Sequence, residues 1–277
     1  MKKTIPVFIL GTGRCGTLQM AKLLQGIPSI EVHHEYLFEN ILKTASLFRM
    51  GAVGFNEVIH VLKNNHESAI YYSLANYWVD SSNALPWIVG PLFQLFPNAK
   101  FIHLLRDGRK VVSSFYHKFS DKMYDNFSVE VVQQWLNSGK RTVEPPSEKK
   151  YWRPFPVENE QYFREFGKFN QFQRLSYYWV DCNMRIHNSL LSVPSEQKLT
   201  FKLEDLIIDP NVLAKFLNVF NVSYDEKYMD ILKKPVNVAA PKDFLLTEQE
   251  RFEFNQIAGT AMDLFGYGDK EEYQVAY

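Results

Sequence analysis

An apolar hexapeptide that runs straight into a glycine-rich turn constrains this chain more than any other feature. Ile5-Pro6-Val7-Phe8-Ile9-Leu10 has no polar break, as expected of a strand buried on both faces of a parallel sheet. Gly11-Thr12-Gly13-Arg14-Cys15-Gly16-Thr17 follows at once, and Leu18 to Leu24 reads as a helix. Such a turn points successive backbone N–H groups and the positive end of the helix dipole at one place, where an anion can sit. Taken alone, the turn is also compatible with a purely structural role.

The rest of the chain repeats the alternation. Short apolar runs at Tyr77-Trp78-Val79, Lys100 to Leu105 and Leu199 to Leu203 read as strands. Pro86 to Phe96, the stretch opening at Asp107-Gly108, Asn211 to Val219 and the segment after Thr247-Glu248-Gln249-Glu250 read as helices, the last with a capping box. This pattern predicts an α/β chain with a central parallel sheet flanked by helices in three layers. Residues 119–169 hold eleven aromatics, about 22% against 15% for the chain, and are broken by Pro145-Pro146 and Pro154. Residues 119–170 are therefore expected to be a cap or insertion in a single domain spanning residues 1–277. Its aromatics either pack it onto the core or wall an apolar acceptor.

Composition narrows the partners. Thirty-one basic and thirty-one acidic residues leave no net charge to draw the chain to nucleic acid or an anionic membrane, so an anion must be held by a local site. Two cysteines without zinc spacing exclude a disulfide scaffold and a thiolate metal cluster, which favours a reducing compartment. Lys2 and Lys3 before the first apolar run imitate a secretory signal, but the run is too short and no small-residue cleavage site follows. No segment has the roughly 18 apolar residues of a membrane span, and a cytoplasmic protein is expected.

The turn shares the G-x-x-x-x-G spacing of a nucleotide-triphosphate P-loop, so the fold expected is P-loop NTPase-like. Thr17 and Leu18, however, stand where the lysine and the magnesium-binding hydroxyl should follow. That counts against a kinase using magnesium and ATP. Arg14 instead places a permanent cation inside the loop. Such a loop suits sulfuryl transfer, in which the chief need is to stabilise charge building on the leaving phosphate oxygen. A second cationic group, Arg106-Asp107-Gly108-Arg109-Lys110, ends the Lys100–Leu105 strand and leads to Ser113 and Ser114. It reads either as a solvated helix face or as a second phosphate grip in the crevice where open parallel sheets bind ligands.

These two motifs together resemble the sulfotransferase superfamily, which uses 3′-phosphoadenosine 5′-phosphosulfate. The resemblance makes Arg14 to Leu18 the 5′-phosphosulfate loop, with Gly13, Arg14, Cys15, Gly16, Thr17 and Leu18 binding the donor. It makes Arg106 and Ser114, eight residues apart, the 3′-phosphate site. Glu204-Asp205-Leu206 also looks like a family segment.

An acceptor hydroxyl must lose a proton as it attacks sulfur. The phenol and steroid branch uses a histidine in a stretch matched here by Ser82-Asn83-Ala84-Leu85-Pro86, where Ala84 cannot serve. In the tyrosylprotein sulfotransferases the base is a glutamate 21 residues beyond the loop arginine, a spacing that points to Glu35. The competing readings make Glu35 a surface carboxylate or a salt-bridge partner of Arg14. Arg106-Asp107-Gly108-Arg109, Leu95 to Phe101 and Lys234-Pro235-Val236-Asn237 look like segments of that branch. The resemblance implies nucleotide contacts from Lys118, Lys234, Asn237 and Lys242. Ser81 stands in place of that branch's catalytic lysine, Leu203 in place of a tyrosine, and Leu37 and Ile41 in place of its peptide-reading arginines. An uncharged small-molecule hydroxyl acceptor is therefore favoured over a peptide tyrosine. His33 and His34 on an extended chain point to opposite faces and are not expected to form a metal site with Glu35. Cys15 is not expected to be a nucleophile, and Cys182 is expected to be a buried helix residue. A metal-independent sulfotransferase with Glu35 and Arg14 as catalytic residues is the expected function; a catalytically silent nucleotide-binding protein is an alternative.

Overall fold

Val7, Phe8, Ile9 and Leu10 are all fully buried, because their strand lies at the centre of a five-stranded parallel sheet. The computed structural model describes residues 4–119, 122–139, 153–234 and 245–272, with 143, 145 and 236. The strands are β1 (Ile5–Leu10), β2 (Ile30–His34), β3 (Tyr77–Ser82), β4 (Lys100–Leu105) and β5 (Lys198–Lys202), in the order β2-β3-β1-β4-β5. Leu10 pairs with Ser82 of β3 and His103 of β4, and His34 pairs with Ser81. The register thus brings the ends of β2, β3, β1 and β4 to one edge of the sheet, where open α/β sheets place their ligands.

Helices α1 (Thr17–Leu24), α2 (Phe38–Arg49), α3 (Phe55–Leu62) and α4 (Ser68–Tyr72) lie in the first half, followed by α5 (Val89–Leu95) and α6 (Gly108–Lys118). Then come α7 (Asn126–Asn137), α8 (Gln171–Leu190), α9 (Leu203–Ile208), α10 (Pro210–Asn218), α11 (Glu226–Lys233) and α12 (Glu248–Leu264). Thr247 caps α12 through the expected box with Glu250. The 20-residue α8 packs against α6, α12 and β4. Among the described residues no helix is long and apolar enough to cross a membrane.

Three expectations change. Strand β2 went unread because Ile30-Glu31-Val32-His33-His34 is an edge strand, half-buried and polar at three of five positions. The strand expected at Leu199–Leu203 ends at Lys202, and Leu203 opens α9. The helix expected from Pro86 begins only at Val89. In the aromatic-rich segment, Tyr124, Phe155 and Phe166 pack against one another and against Tyr177 and Tyr178 of α8 with ring centroids 5.2–6.4 Å apart. Packing onto the core is the role of these rings, whereas Phe127 and Phe163 are exposed.

Candidate active site

The loop between β1 and α1 takes its shape from three left-handed residues, Gly13, Arg14 and Gly16, with φ of 69°, 54° and 102°. A Cβ on Gly13 would stand 3.0 Å from Asn83 Nδ2 and 3.2 Å from Phe115, and one on Gly16 would stand 2.8 Å from Leu203, so both positions require glycine. The first helical bond of α1 runs from Met20 N to Gly16 O, leaving the N–H groups of Thr17, Leu18 and Gln19 outside the helical ladder at an anion-attracting terminus. Consecutive residues of α8 brace this edge. The Tyr178 hydroxyl donates to Thr12 O at 2.6 Å, and Trp179 Nε1 donates to Arg106 O at 3.2 Å.

Both cationic motifs meet in one cluster. Arg14 Nε donates to Ser114 Oγ at 2.9 Å, and Arg106 Nη1 donates to Arg14 O at 2.7 Å. Lys118, at the end of α6, has its pKa lowered by burial and then by the Arg14 charge, so it belongs to the same group. Arg109 and Lys110 do not. Both are buried: Arg109 is paired with Asp107 at 2.7 Å and donates to Lys270 O, and Lys110 is paired with Glu272 at 3.3 Å. They tie down the C-terminal segment and are not the solvated helix face that was one reading of the run. Glu204 accepts from Asp107 N and from the Tyr267 hydroxyl, each at 2.9 Å. Lys234 is exposed and caps α11, which packs on α1; Asn237 and Lys242 lie outside the described residues. Cys15 and Cys182 are fully buried, and burial pushes both thiols up, away from nucleophilic character.

Across the crevice, Glu35 follows β2 with φ 58°, and its N–H donates to Ser81 O at 3.2 Å. Its side chain is 24% exposed: Oε1 accepts a hydrogen bond from Asn83 Nδ2, and Oε2 lies 4.0 Å from His34 Nδ1. Burial raises the carboxyl pKa to about 7, Arg153 opposes the rise, and Asp80 adds to it. Glu35 is thus neither a surface carboxylate nor a partner of Arg14. His33 and His34 diverge as expected, since His33 contacts Glu31 at 3.0 Å while His34 Nε2 lies 3.3 Å from Thr17 Oγ1. His34 and Glu35 nevertheless converge, because the left-handed backbone at Glu35 breaks the strand alternation. Burial lowers the His34 pKa and so favours its neutral form. Ser81 Oγ donates to Thr17 O at 2.8 Å, and the fully buried Asp80 accepts from Tyr36 N at 3.2 Å. Among the described residues no group of three or more His, Cys, Asp or Glu side chains could hold a metal ion.

The sequence reading missed Asn83, Arg153, Tyr178 and Asp80 as members of this edge. Asn83 lies one residue before Ala84, the position inspected for a histidine base. Nothing in the local sequence marks Arg153, which enters from the insertion.

Residues 6–145 match the model of the Sulfotransferase family. A sulfotransferase from Alicyclobacillus acidocaldarius is similar in fold, with a TM-score of 0.50 and 14% identity over 96% of each chain. The sulfotransferase domain from the curacin biosynthetic pathway scores 0.46 at 16% identity, covering 100% of this chain and 95% of that one. The sulfotransferase domain of the Synechococcus PCC 7002 olefin synthase scores 0.48 at 16% identity, covering 94% and 96%. No curated protein sequence matches.

Proposed function

Because the chain belongs to the sulfotransferase family, we propose that it carries a sulfuryl group from 3′-phosphoadenosine 5′-phosphosulfate to the hydroxyl of an uncharged small molecule, working as one domain in which residues 119–170 cover the acceptor. One observation carries the reading: a carboxylate whose pKa is about 7 stands at the same sheet edge as a glycine loop whose arginine is bonded to Ser114 and to Arg106. A loop that glycines alone can shape, joined to two arginines, a serine and a lysine, fits a nucleotide carrying phosphates at two positions. Leu18 offers no oxygen to a magnesium ion where an ATP-type loop would.

The donor nucleotide supplies an activated sulfuryl group on a good phosphate leaving group. Glu35, whose carboxyl burial raises to about 7, takes the acceptor's hydroxyl proton in its ionised form as the oxygen attacks sulfur. Arg14 and the N–H groups from Cys15 to Leu18 stabilise the negative charge that collects on the bridging 5′-phosphate oxygen as the sulfur–oxygen bond breaks. Arg106 and Ser114 hold the 3′-phosphate, Lys118 adds charge beside Arg14, and the family resemblance assigns further nucleotide contacts to Lys234, Asn237 and Lys242. Leu37, half-exposed beside Glu35, and the buried Ile41 give an acidic peptide no cation at these positions.

Calorimetric titration with 3′-phosphoadenosine 5′-phosphate, against adenosine 5′-phosphate and magnesium ATP, tests the donor. Tight binding that needs the 3′-phosphate is expected. Preference for magnesium ATP would sink the reading, and binding without turnover of phenols, alcohols, sterols or sugars would leave a silent nucleotide-binding protein.

A further inference from the structure

Arg153 belongs to no nucleotide-holding motif and lies beyond the family match. It is 4% exposed, its guanidinium sits 5.4 Å from the Tyr178 ring centroid, and Nη2 donates to Asn83 Oδ1 at 3.2 Å. A guanidinium has donors only, so the Asn83 amide must turn its oxygen to Arg153. Its NH₂ is then left to donate to Glu35 Oε1. The same asparagine packs against Gly13, and the tyrosine beneath the guanidinium bonds the loop at Thr12. Arg153 is therefore anchored to the loop on one side and linked to the base on the other.

We propose that Arg153 is a positioning residue for Glu35: acting through Asn83, it orients the carboxylate and sets a guanidinium behind it, so the insertion, proposed above as a cover over the acceptor, also serves the base. The proposal rests on Glu35 being the proton acceptor. Among the described residues, the groups facing Glu35 are His34 at the end of β2, Asp80 on β3, Tyr178 on α8 and Arg153 from the insertion. Burial favours neutral His34 and holds Tyr178 protonated, while Asp80 repels a second negative charge. Arg153 is the group whose field opposes these influences.

Carbon-13 NMR titration of the glutamate carboxyls tests this directly, with the Glu35 signal assigned by its loss in Glu35→Gln. In Arg153→Gln the Glu35 midpoint should rise by about one pH unit or more, the effect of removing a nearby opposite charge. Arg153→Lys, which keeps the charge and the donors, should return most of the way to wild type. The acid limb of kcat/KM should move with the midpoint, with the rate lost at pH 7 regained by about pH 9. A merely structural arginine gives the opposite sign, since loosening the insertion hydrates Glu35 and lets its midpoint fall toward 4.5. A fall or no change overturns the proposal. If Arg153→Gln does not fold, Asn83→Ala carries the same test, with a smaller rise expected and no change or a fall overturning it. Because the titration needs neither donor nor turnover, a risen midpoint in a protein that transfers no sulfuryl group would sink the functional reading alone. An unmoved midpoint in an active enzyme would sink the positioning role alone.

Discussion

The proposed donor side of the crevice takes Gly13 to Leu18 from one loop and Arg106, Ser114 and Lys118 from one strand-to-helix segment, whereas the proposed base side gathers Glu35, Asn83, Arg153 and Tyr178 from four separate stretches. On the donor side, short-range chemistry determines the geometry: left-handed glycines, a helix start and an arginine inside the turn. On the base side no residue is positioned by its neighbours in sequence alone. Glu35 is held by the β2–β3 register and by Asn83, and Asn83 by a residue 70 positions further on. An anion grip can be built from a local motif, but a carboxylate held near neutrality needs burial, and burial is supplied by distant parts of the chain.

The sharpest way to separate the two sides is Glu35→Gln. It keeps the shape and the acceptor for Asn83 but removes the base. Turnover should fall about 10²- to 10⁴-fold, with affinity for 3′-phosphoadenosine 5′-phosphate within about twofold of wild type by calorimetry. A parallel loss of nucleotide affinity would show that the two sides are not separable.

The same variant sharpens the comparison through stability. The Glu35 pKa is about 7 in the folded protein against about 4.5 for an ordinary glutamate, so between these values the folded state binds more protons and stability falls as pH rises. Glu35→Gln removes that cost. Chemical denaturation should show the variant more stable than wild type by up to about 3 kcal/mol at pH 8 and equal to it at pH 4. A difference independent of pH would mean that burial does not set the Glu35 pKa.

On the donor side, Arg106→Ala should weaken binding of the 3′-phosphorylated nucleotide about 10- to 100-fold, the range of a hydrogen bond to a charged group. The analogue lacking the 3′-phosphate should lose little. Arg106 also braces the loop by donating to Arg14 O at 2.7 Å, so equal losses for both ligands would assign it to bracing alone.

The same contrast explains what could be read from sequence. Strand β1, the loop, β4 and the capping box of α12 are visible because each carries its own signal in consecutive residues. The family resemblance singled out Glu35 by spacing as the expected base, but its surroundings were hidden. Strand β2 is a short polar edge, α8 offers no motif although Tyr178 and Trp179 bond the loops at Thr12 and Arg106, and Arg153 gains meaning only through Asn83. Arg109 and Lys110 show the converse, because two cations that read as part of a solvated face are consumed by Asp107 and the C-terminal segment. Local charge says where a cation is in the chain, not which partner reaches it first.

Ser81 gives the smallest effect and the most direct test of how the sides are joined. The tyrosylprotein-type resemblance places a catalytic lysine at this position, yet Ser81 is fully buried, with its hydroxyl bonded to Thr17 O in the first turn of α1. The serine therefore ties β3, which carries Asp80 and leads to Asn83, to the helix that heads the donor loop. Ser81→Ala should cost about 1 kcal/mol by chemical denaturation, the net worth of one neutral hydrogen bond, and leave kcat within about threefold. Ser81→Lys should be far worse, since it would bury an ammonium where the serine has no exposure. A hundredfold loss of kcat in Ser81→Ala with stability unchanged would instead place the hydroxyl at the reacting group. The join between the two sides would then be part of the chemistry, and the division drawn between a locally built grip and a remotely built base would fail at this residue.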